Sequence, residues 1–478
     1  MRNQSVTIKI VEERLTMALE YYTPGVYVEE ISSGSAPMSA AATNIVGFIG
    51  ETRIGELNSP TQITSFADYF DKFIGYTLSD KMTPRGTVAK DADGNTIQEN
   101  VPNDKATDLD WAVYVFFANG GGKCHVVSVN HIADNSDKIA SLKEAIIKEE
   151  SAKDKKAGEA KIAELNKEIA ALSSSGNIDK QLIGNDGGPN KRTGLTCFKD
   201  VDEVSILCAP GVTSNGVLLE LISYAEAANI FSVIDSPADL DGLKAFGLGA
   251  DLKGLSGLSA KMASKQAALY FPWVNVADGK GTRLVSPSAF AAGIYARVDN
   301  DRGVHKAPAN EPVRLAGSLN YTINDAEQEE LNKNGVNCLR DFSDTGIRVW
   351  GARTTVAQID PEWRYINVRR LFNMIEKTLE LGTKWAVFEP NDSKLWGSLT
   401  RNTKAFLSRV YGTGAFAGAS EAEAYYVTCD ASNNPQENVD AGIVTIEIGI
   451  APVKPAEFIV FKISQTSPGG AGEEEAAE

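Results

Sequence analysis

The chain has 478 residues, 43% hydrophobic and 23% charged, roughly twice the ~250–300 residues at which a single core stops growing; more than one domain is expected, and a disordered or collagen-like chain is excluded. Against 63 acidic residues stand 47 Lys and Arg, a net charge of −16, which argues against a DNA- or RNA-binding surface because phosphate binding needs clustered cations. Cys124, Cys197, Cys208, Cys338 and Cys429 are odd in number, widely spaced and form no CxxC pair, so neither a disulfide framework nor a zinc site is indicated. No run reaches the ~18 apolar residues of a membrane span. Lys9, Glu12, Glu13 and Arg14 interrupt the N-terminus where a signal peptide would carry its apolar region. Synthesis and assembly in the cytoplasm, without a signal peptide or membrane insertion, are expected.

In chain order, Val6, Ile8 and Ile10 alternate with Thr7 and Lys9 ahead of Thr23-Pro24-Gly25, and Val26, Val28 and Ile31 alternate with Tyr27, Glu29 and Glu30. This is a strand-capable arm without an obvious local partner. From Asn44 an α/β texture begins: a buried-strand run at 45–50, a short helix at 66–73, a helix at 111–119, a glycine turn at 120–122 and a strand at 124–129. Further strands are expected at 204–208, 231–234 and 268–271, with a helix at 216–228. Apolar strands separated by helices favour a largely parallel sheet covered on both faces.

Between Ser136 and Thr196 the composition shifts to Lys, Glu, Ala and Ser. Ile139, Leu142 and Ile146, then Ile162, Leu165, Ile169 and Leu172, recur at helical steps and predict a hairpin of two helices, a solvated insertion rather than a partner-binding coiled coil. Ser173 to Gly176 and Gly184 to Pro189 are expected to form its exit loop. From Pro287 a third texture starts, with helices expected at 371–381 and 395–411 and strands at 442–450 and 457–463. The acidic end at 466–478 is expected to be disordered.

Catalytic signatures are missing. Asn119-Gly120-Gly121-Gly122-Lys123-Cys124 lacks the glycine and the Ser or Thr of a phosphate loop, because positions 117 and 124 are Phe117 and Cys124. Asp91-Ala92-Asp93-Gly94-Asn95 has its glycine two places too early for a calcium loop and reads as a hairpin tip. His125, His131 and His305 lie in no triad or metal motif, and GxSxG and HExxH do not occur. No cofactor or metal is expected, and an enzyme is disfavoured. Strand-like chain ends in an acidic, motif-poor protein suit an assembly subunit, since a strand donated to a neighbour's sheet makes main-chain hydrogen bonds that hold while domains turn.

Several stretches are familiar: 22–30, 43–50, 116–121, 287–299 and 302–310, then Val349-Trp350-Gly351-Ala352-Arg353-Thr354, 365–371, Val387-Phe388-Glu389-Pro390-Asn391 and 452–458. In this order, over about residues 22 to 465, they resemble the contractile tail sheath family of phage tails, R-type tailocins and phage-tail-like injection systems. The resemblance implies an α/β and α+β multidomain fold, with a conserved inner domain built from both chain ends and an inserted subtilisin-like α/β domain. No protease activity is carried over, because the matching Asp, His and Ser motifs are absent.

The expected division is a linking arm at 1–43, outer α/β domain or domains at 44–286 carrying the 136–196 insertion, and a C-terminal sheath domain at 287–465 ending in a linking strand. The resemblance further implies stacked hexameric rings around an inner tube that contract to push the tube through a membrane. Implied partners are further copies of the chain, the tube protein, baseplate and tail-terminator proteins, and sister sheath proteins. Non-contractile shell or baseplate parts, and an unrecognised α/β hydrolase, remain as alternatives.

Val26, Tyr27, Val28 and Glu29, and then Phe458, Val460 and Ile463, are the residues expected in inter-subunit strands. On the 395–411 helix, Lys394, Arg401 and Lys404 gather opposite Trp396, Leu399, Phe406, Leu407 and Val410. That basic stripe either faces an acidic tube or is an ordinary solvated face. Trp350, Arg353, Arg369 and Arg370 read as packing and ion-pair residues of the inner domain in preference to direct tube contacts.

Overall fold

The structure, a computed structural model, describes residues 38–74, 106–132, 175–278 and 281–458, with short strand pieces between 82 and 102 and single helical positions between 142 and 165. The arm before residue 38, the 91–95 hairpin tip, most of the 136–174 hairpin and everything after Phe458 lie outside the described residues.

Runs such as Val46–Thr52 and Ile206–Cys208 are apolar on both sides of the strand, and both sides are buried. Six such strands form the parallel heart of a nine-stranded sheet. From one side to the other they are Cys124–His131, Val46–Thr52, Ile206–Cys208, Phe231–Asp235, Ala267–Phe271 and Val336–Phe342. Counted along the chain, that is the order 2-1-3-4-5-6, a doubly wound arrangement with one reversal beside the first strand. Thr61–Ile63 closes one edge antiparallel, and Gly346–Trp350 with Glu311–Pro312 closes the other.

Alternation sorts the strand residues between two cores. Val46, Phe48, Ile206 and Cys208 pack with the helices Asp108–Ala118 and Pro287–Arg302, among Trp111, Phe116, Phe290 and Tyr295. Ile49, Leu207, Ile234 and Leu269 face the opposite layer, where Leu221 of Asn215–Ala228 and Leu255 of Leu252–Lys261 lie. On the first face the two helices nearly touch: a Cβ at Gly293 would come 2.6 Å from the Phe116 carbonyl oxygen. Asp108–Ala118 starts with a capping box, Thr107 Oγ1 accepting from the Asp110 N–H at 2.9 Å and the Asp110 carboxylate accepting from the Thr107 N–H at 2.8 Å.

Two sequence expectations need correction. The sheet does not end at 286, because strands at 311–312, 336–342 and 346–350 belong to it. The change of texture at Pro287 marks a helix that buries twelve consecutive residues, from Pro287 to Val298, inside this domain. The exit loop after the charged insertion is partly a helix, Ser175–Ile183, which sends Leu182 into the second core; the polar Ser-Gly-Asn start masked that periodicity. Glu457 and Phe458, the described start of the expected 457–463 linking strand, pair with no described strand of their own copy; that expectation concerns a neighbouring copy.

A third core belongs to the C-terminal module. Ile366–Gly382 and Ser393–Gly412 pack through Leu371, Met374, Ile375, Phe406, Leu407 and Val410, with Tyr425 and Val427 of a two-stranded ribbon. Among the described residues, no helix is long and apolar enough to cross a membrane.

Candidate assembly surfaces

The ribbon pairs Tyr425–Thr428 with Glu447–Ile450 antiparallel, from Tyr425 opposite Ile450 to Thr428 opposite Glu447. Tyr425 and Val427 point into the core, whereas Tyr426 is 52% exposed and donates its hydroxyl to Glu447 Oε1 at 2.9 Å. Among the described residues neither strand has a second neighbour, so both edges present unpaired backbone groups. Such edges are templates for an added strand. The first of these strands escaped the sequence reading, although Tyr425-Tyr426-Val427-Thr428 carries the aromatic and β-branched enrichment that signals one.

Ser393–Gly412 begins at Asp392, whose Oδ1 accepts from the N–H groups of Lys394 and Leu395, both at 2.9 Å. Its inner stripe is Leu395, Leu399, Phe406, Leu407 and Val410. Lys394, Arg401 and Lys404 are exposed on the other side. Arg401 donates to Ser398 Oγ at 3.2 Å, and among the described residues none of the three meets a carboxylate. Arg401 and Lys404 border an open groove of about 750 Å³ that Trp396, Gly397 and Thr400 share with Val427 and Asp430 of the ribbon side. Thus two of the three basic residues share a groove with the end of the first ribbon strand and the turn that follows it, and Lys394 sits at the helix start.

Of the residues expected in linking strands, Phe458 is 76% exposed at the end of the described chain. Val26, Tyr27, Val28, Glu29, Val460 and Ile463 lie outside the described residues. The arginines behave differently. Arg370, 3% exposed, holds Asp299 through Nη1 at 3.0 Å and Nη2 at 2.5 Å, donates to the Thr43 carbonyl at 2.9 Å, and stacks on Tyr295. Burial pushes the Asp299 carboxyl up and Arg370 pulls it back. Arg353 pairs with Glu457, and Arg369 reaches Asn373 and Glu376 while stacking on Trp363. Trp350 is partly exposed, its ring tilted at 59° against Phe342 with centroids 4.7 Å apart. The acidic partners Asp299 and Glu457 were not foreseen, since they lie 71 and 104 residues away from their arginines.

Doubly wound sheets bind ligands beyond the carboxyl ends of their strands, near the reversal of strand order. Here Asp235, at the carboxyl end of its strand and 1% exposed, accepts from the Ser288 N–H and Oγ, each at 2.7 Å, and from the Gly211 N–H at 3.1 Å. Burial raises its pKa to about 6. The group is engaged in tying the Pro287 helix to the sheet. Among the described residues no group of His, Cys, Asp and Glu could hold a metal ion.

Comparison with known proteins joins the chain to a family. Residues 197–355 match the phage tail sheath protein central domain, and residues 358–466 match the phage tail sheath C-terminal domain. The chain is 26% identical to the tail sheath protein of Burkholderia phage BcepMu over 93% of this chain and 97% of that protein. It is 27% identical to the tail sheath protein of Enterobacteria phage T4 over 39% of this chain and 28% of that one. Among solved structures, the PVC sheath complex of an extracellular contractile injection system in its contracted state superposes with a TM-score of 0.64 at 26% identity, covering 94% of this chain and 98% of that chain. The contracted helical sheath of the anti-feeding prophage gives 0.61 at 26%, covering 94% and 100%. With both sheath domain models adjoining along the C-terminal half and full-length similarity to sheath subunits, the chain belongs to the contractile tail sheath family.

Proposed function

We propose that this chain is the structural subunit of a contractile sheath: copies stack as hexameric rings around an inner tube, and the stack shortens to drive the tube through a target membrane. The observation that carries this reading is the ribbon at 425–428 and 447–450, which is backed by a core yet has no further strand at either edge among the described residues. Two such edges accept two strands by β-strand addition. We assign the donors to Val26, Tyr27, Val28 and Glu29 at one chain end and Phe458, Val460 and Ile463 at the other, each entering a different neighbour. The 366–458 module with the linking ends is then the inner domain, and the sheet domain, which we read as the inserted subtilisin-like part with a structural role, lies outside it.

Lys394, Arg401 and Lys404, exposed and free of carboxylate partners among the described residues, face the acidic surface of the tube. The remaining partners are baseplate and tail-terminator proteins and any sister sheath proteins, assembled in the cytoplasm. The stroke is driven by interfaces that improve on contraction, a transition between two packings of one lattice.

Electron microscopy of purified particles tests this. Long and short tubular states are expected; tubes of one fixed length would indicate a static shell, and monomers that turn over a substrate would indicate an enzyme. Deleting Met1 to Glu30 is expected to leave a soluble, folded core that no longer polymerises. A truncated protein that still assembled and contracted would overturn the strand-exchange reading.

A further inference from the structure

The basic groove and the acidic end of the same chain are opposite in charge. We propose that in the free subunit Glu473, Glu474, Glu475 and Glu478 occupy the groove between the Ser393–Gly412 helix and the Tyr425–Thr428 strand, pairing with Arg401 and Lys404 and masking them from the tube. The contact stands on the groove itself; its competition with the tube rests on the reading above.

Trp396, Gly397 and Thr400 line the groove from the helix, and Val427, Thr428 and Cys429 from the strand and its end. Among the described residues no atom lies within 4 Å of where a Cβ on Gly397 would stand, so the helix face is open to a second chain there. Arg401 and Lys404 are three residues apart and therefore neighbours on that face. Lys394 follows Ser393, which lines the head of the groove. Arg401 donates to the neutral Ser398 Oγ, and among the described residues none of the three cations meets a carboxylate. The carboxylate that lines the groove, Asp430, accepts from the Ser432 N–H at 2.8 Å and from Ser432 Oγ at 2.6 Å. Two cations against that one anion leave the groove positive in a chain whose net charge is −16.

The acidic segment reaches this groove from its own root. Glu457, which accepts from Arg353 Nε at 2.9 Å and from the Tyr365 hydroxyl at 3.2 Å, fixes the chain at the start of the Ile366–Gly382 helix. Fourteen residues, 459–472, separate Phe458 from Glu473, and at ~3.3–3.6 Å each they span up to ~50 Å. A compact module the size of 366–458 is only ~32 Å across, from a radius of gyration of ~12 Å. Exposed ion pairs are individually weak, but a tether of this length keeps the glutamates near the groove at a millimolar effective concentration. A groove filled about 90% of the time lowers the affinity for the tube about ten-fold. The cations are thereby kept from other anionic surfaces until a tube, which presents many acidic sites at once, displaces the tail.

Carbodiimide cross-linking of the full-length free subunit, read by mass spectrometry, tests the contact. Lys404 is expected to couple to the peptide carrying Glu473–Glu475 at least five-fold more than Lys253, an exposed lysine of the sheet domain. The yield should not change with protein concentration, and should fall at least five-fold in 0.5 M NaCl, where screening is strong, and in Arg401→Gln, which keeps Lys404. Equal coupling to Lys404 and Lys253, or a yield that rises in proportion to concentration, would overturn the proposal. Co-sedimentation with purified inner tubes tests the competition: the chain without Glu473–Glu478 is expected to bind at about ten-fold lower concentration than the unmodified chain. Equal binding by the two would overturn the masking. Failure of both chains to bind tubes would refute the tube reading instead, whereas absence of the cross-link refutes the tail contact whatever the tubes do.

Discussion

Replacing Arg370 by Leu isolates the cost of the buried pair at the junction of the sheet domain and the C-terminal module. Asp299 and Arg370 have side chains 2% and 3% exposed, so removing the cation leaves a carboxylate with no access to water. Breaking a buried pair on one side costs ~3–5 kcal/mol. The lost donor to Thr43 adds about 1 kcal/mol. Urea unfolding followed by tryptophan fluorescence at pH 7 should therefore show a loss of about 4–6 kcal/mol. Adding Asp299→Leu should recover most of it, because the desolvated charge goes as well. The sign with pH is fixed by burial: without Arg370 the Asp299 pKa, already raised, rises further, so the deficit of Arg370→Leu should shrink as pH falls from 8 to 5. A single variant within about 1 kcal/mol of the unmodified protein, or a double variant no better than the single, would refute the assignment.

Arg401→Glu/Lys404→Glu should leave the unfolding transition of the monomer unchanged, since both residues are exposed, while sedimentation of sheath with tubes is lost; co-sedimentation at the unmodified level would exclude the tube contact. Gly293→Val should destabilise by ~2–3 kcal/mol, because its side chain meets Phe116 backbone where the two helices touch; thermal unfolding measures it. Asp235 is held up from 3.8 to about 6, which corresponds to about 3 kcal/mol. The folded state binds the proton more tightly, so this stability is present below pH 4 and is lost as pH rises through 6. The difference between the unmodified protein and Asp235→Asn should follow that slope in chemical unfolding at pH 4 to 7, and a flat difference would contradict it.

Local pattern carried much of the fold. The strand at 231–235 was expected at 231–234, and the helix at 215–228 was expected at 216–228, because apolar runs and 3.6-residue steps are properties of neighbouring residues. The basic stripe of 394, 401 and 404 was legible for the same reason. The domain border misled, since a change in composition at Pro287 coincides with a helix start and not with the edge of the sheet.

The amino-acid sequence by itself determined the class of protein: an acidic chain without catalytic motifs, with sheath-like segments in order. The tertiary structure alone decided the strand order, which ribbon edges carry no further strand among the described residues, and which acid meets which arginine. Arg370 reaches Thr43 across 327 positions and Arg353 reaches Glu457 across 104. Periodicity reports on contacts a few residues apart, whereas these pairs exist only because helices and strands from distant parts of the chain are packed against one another.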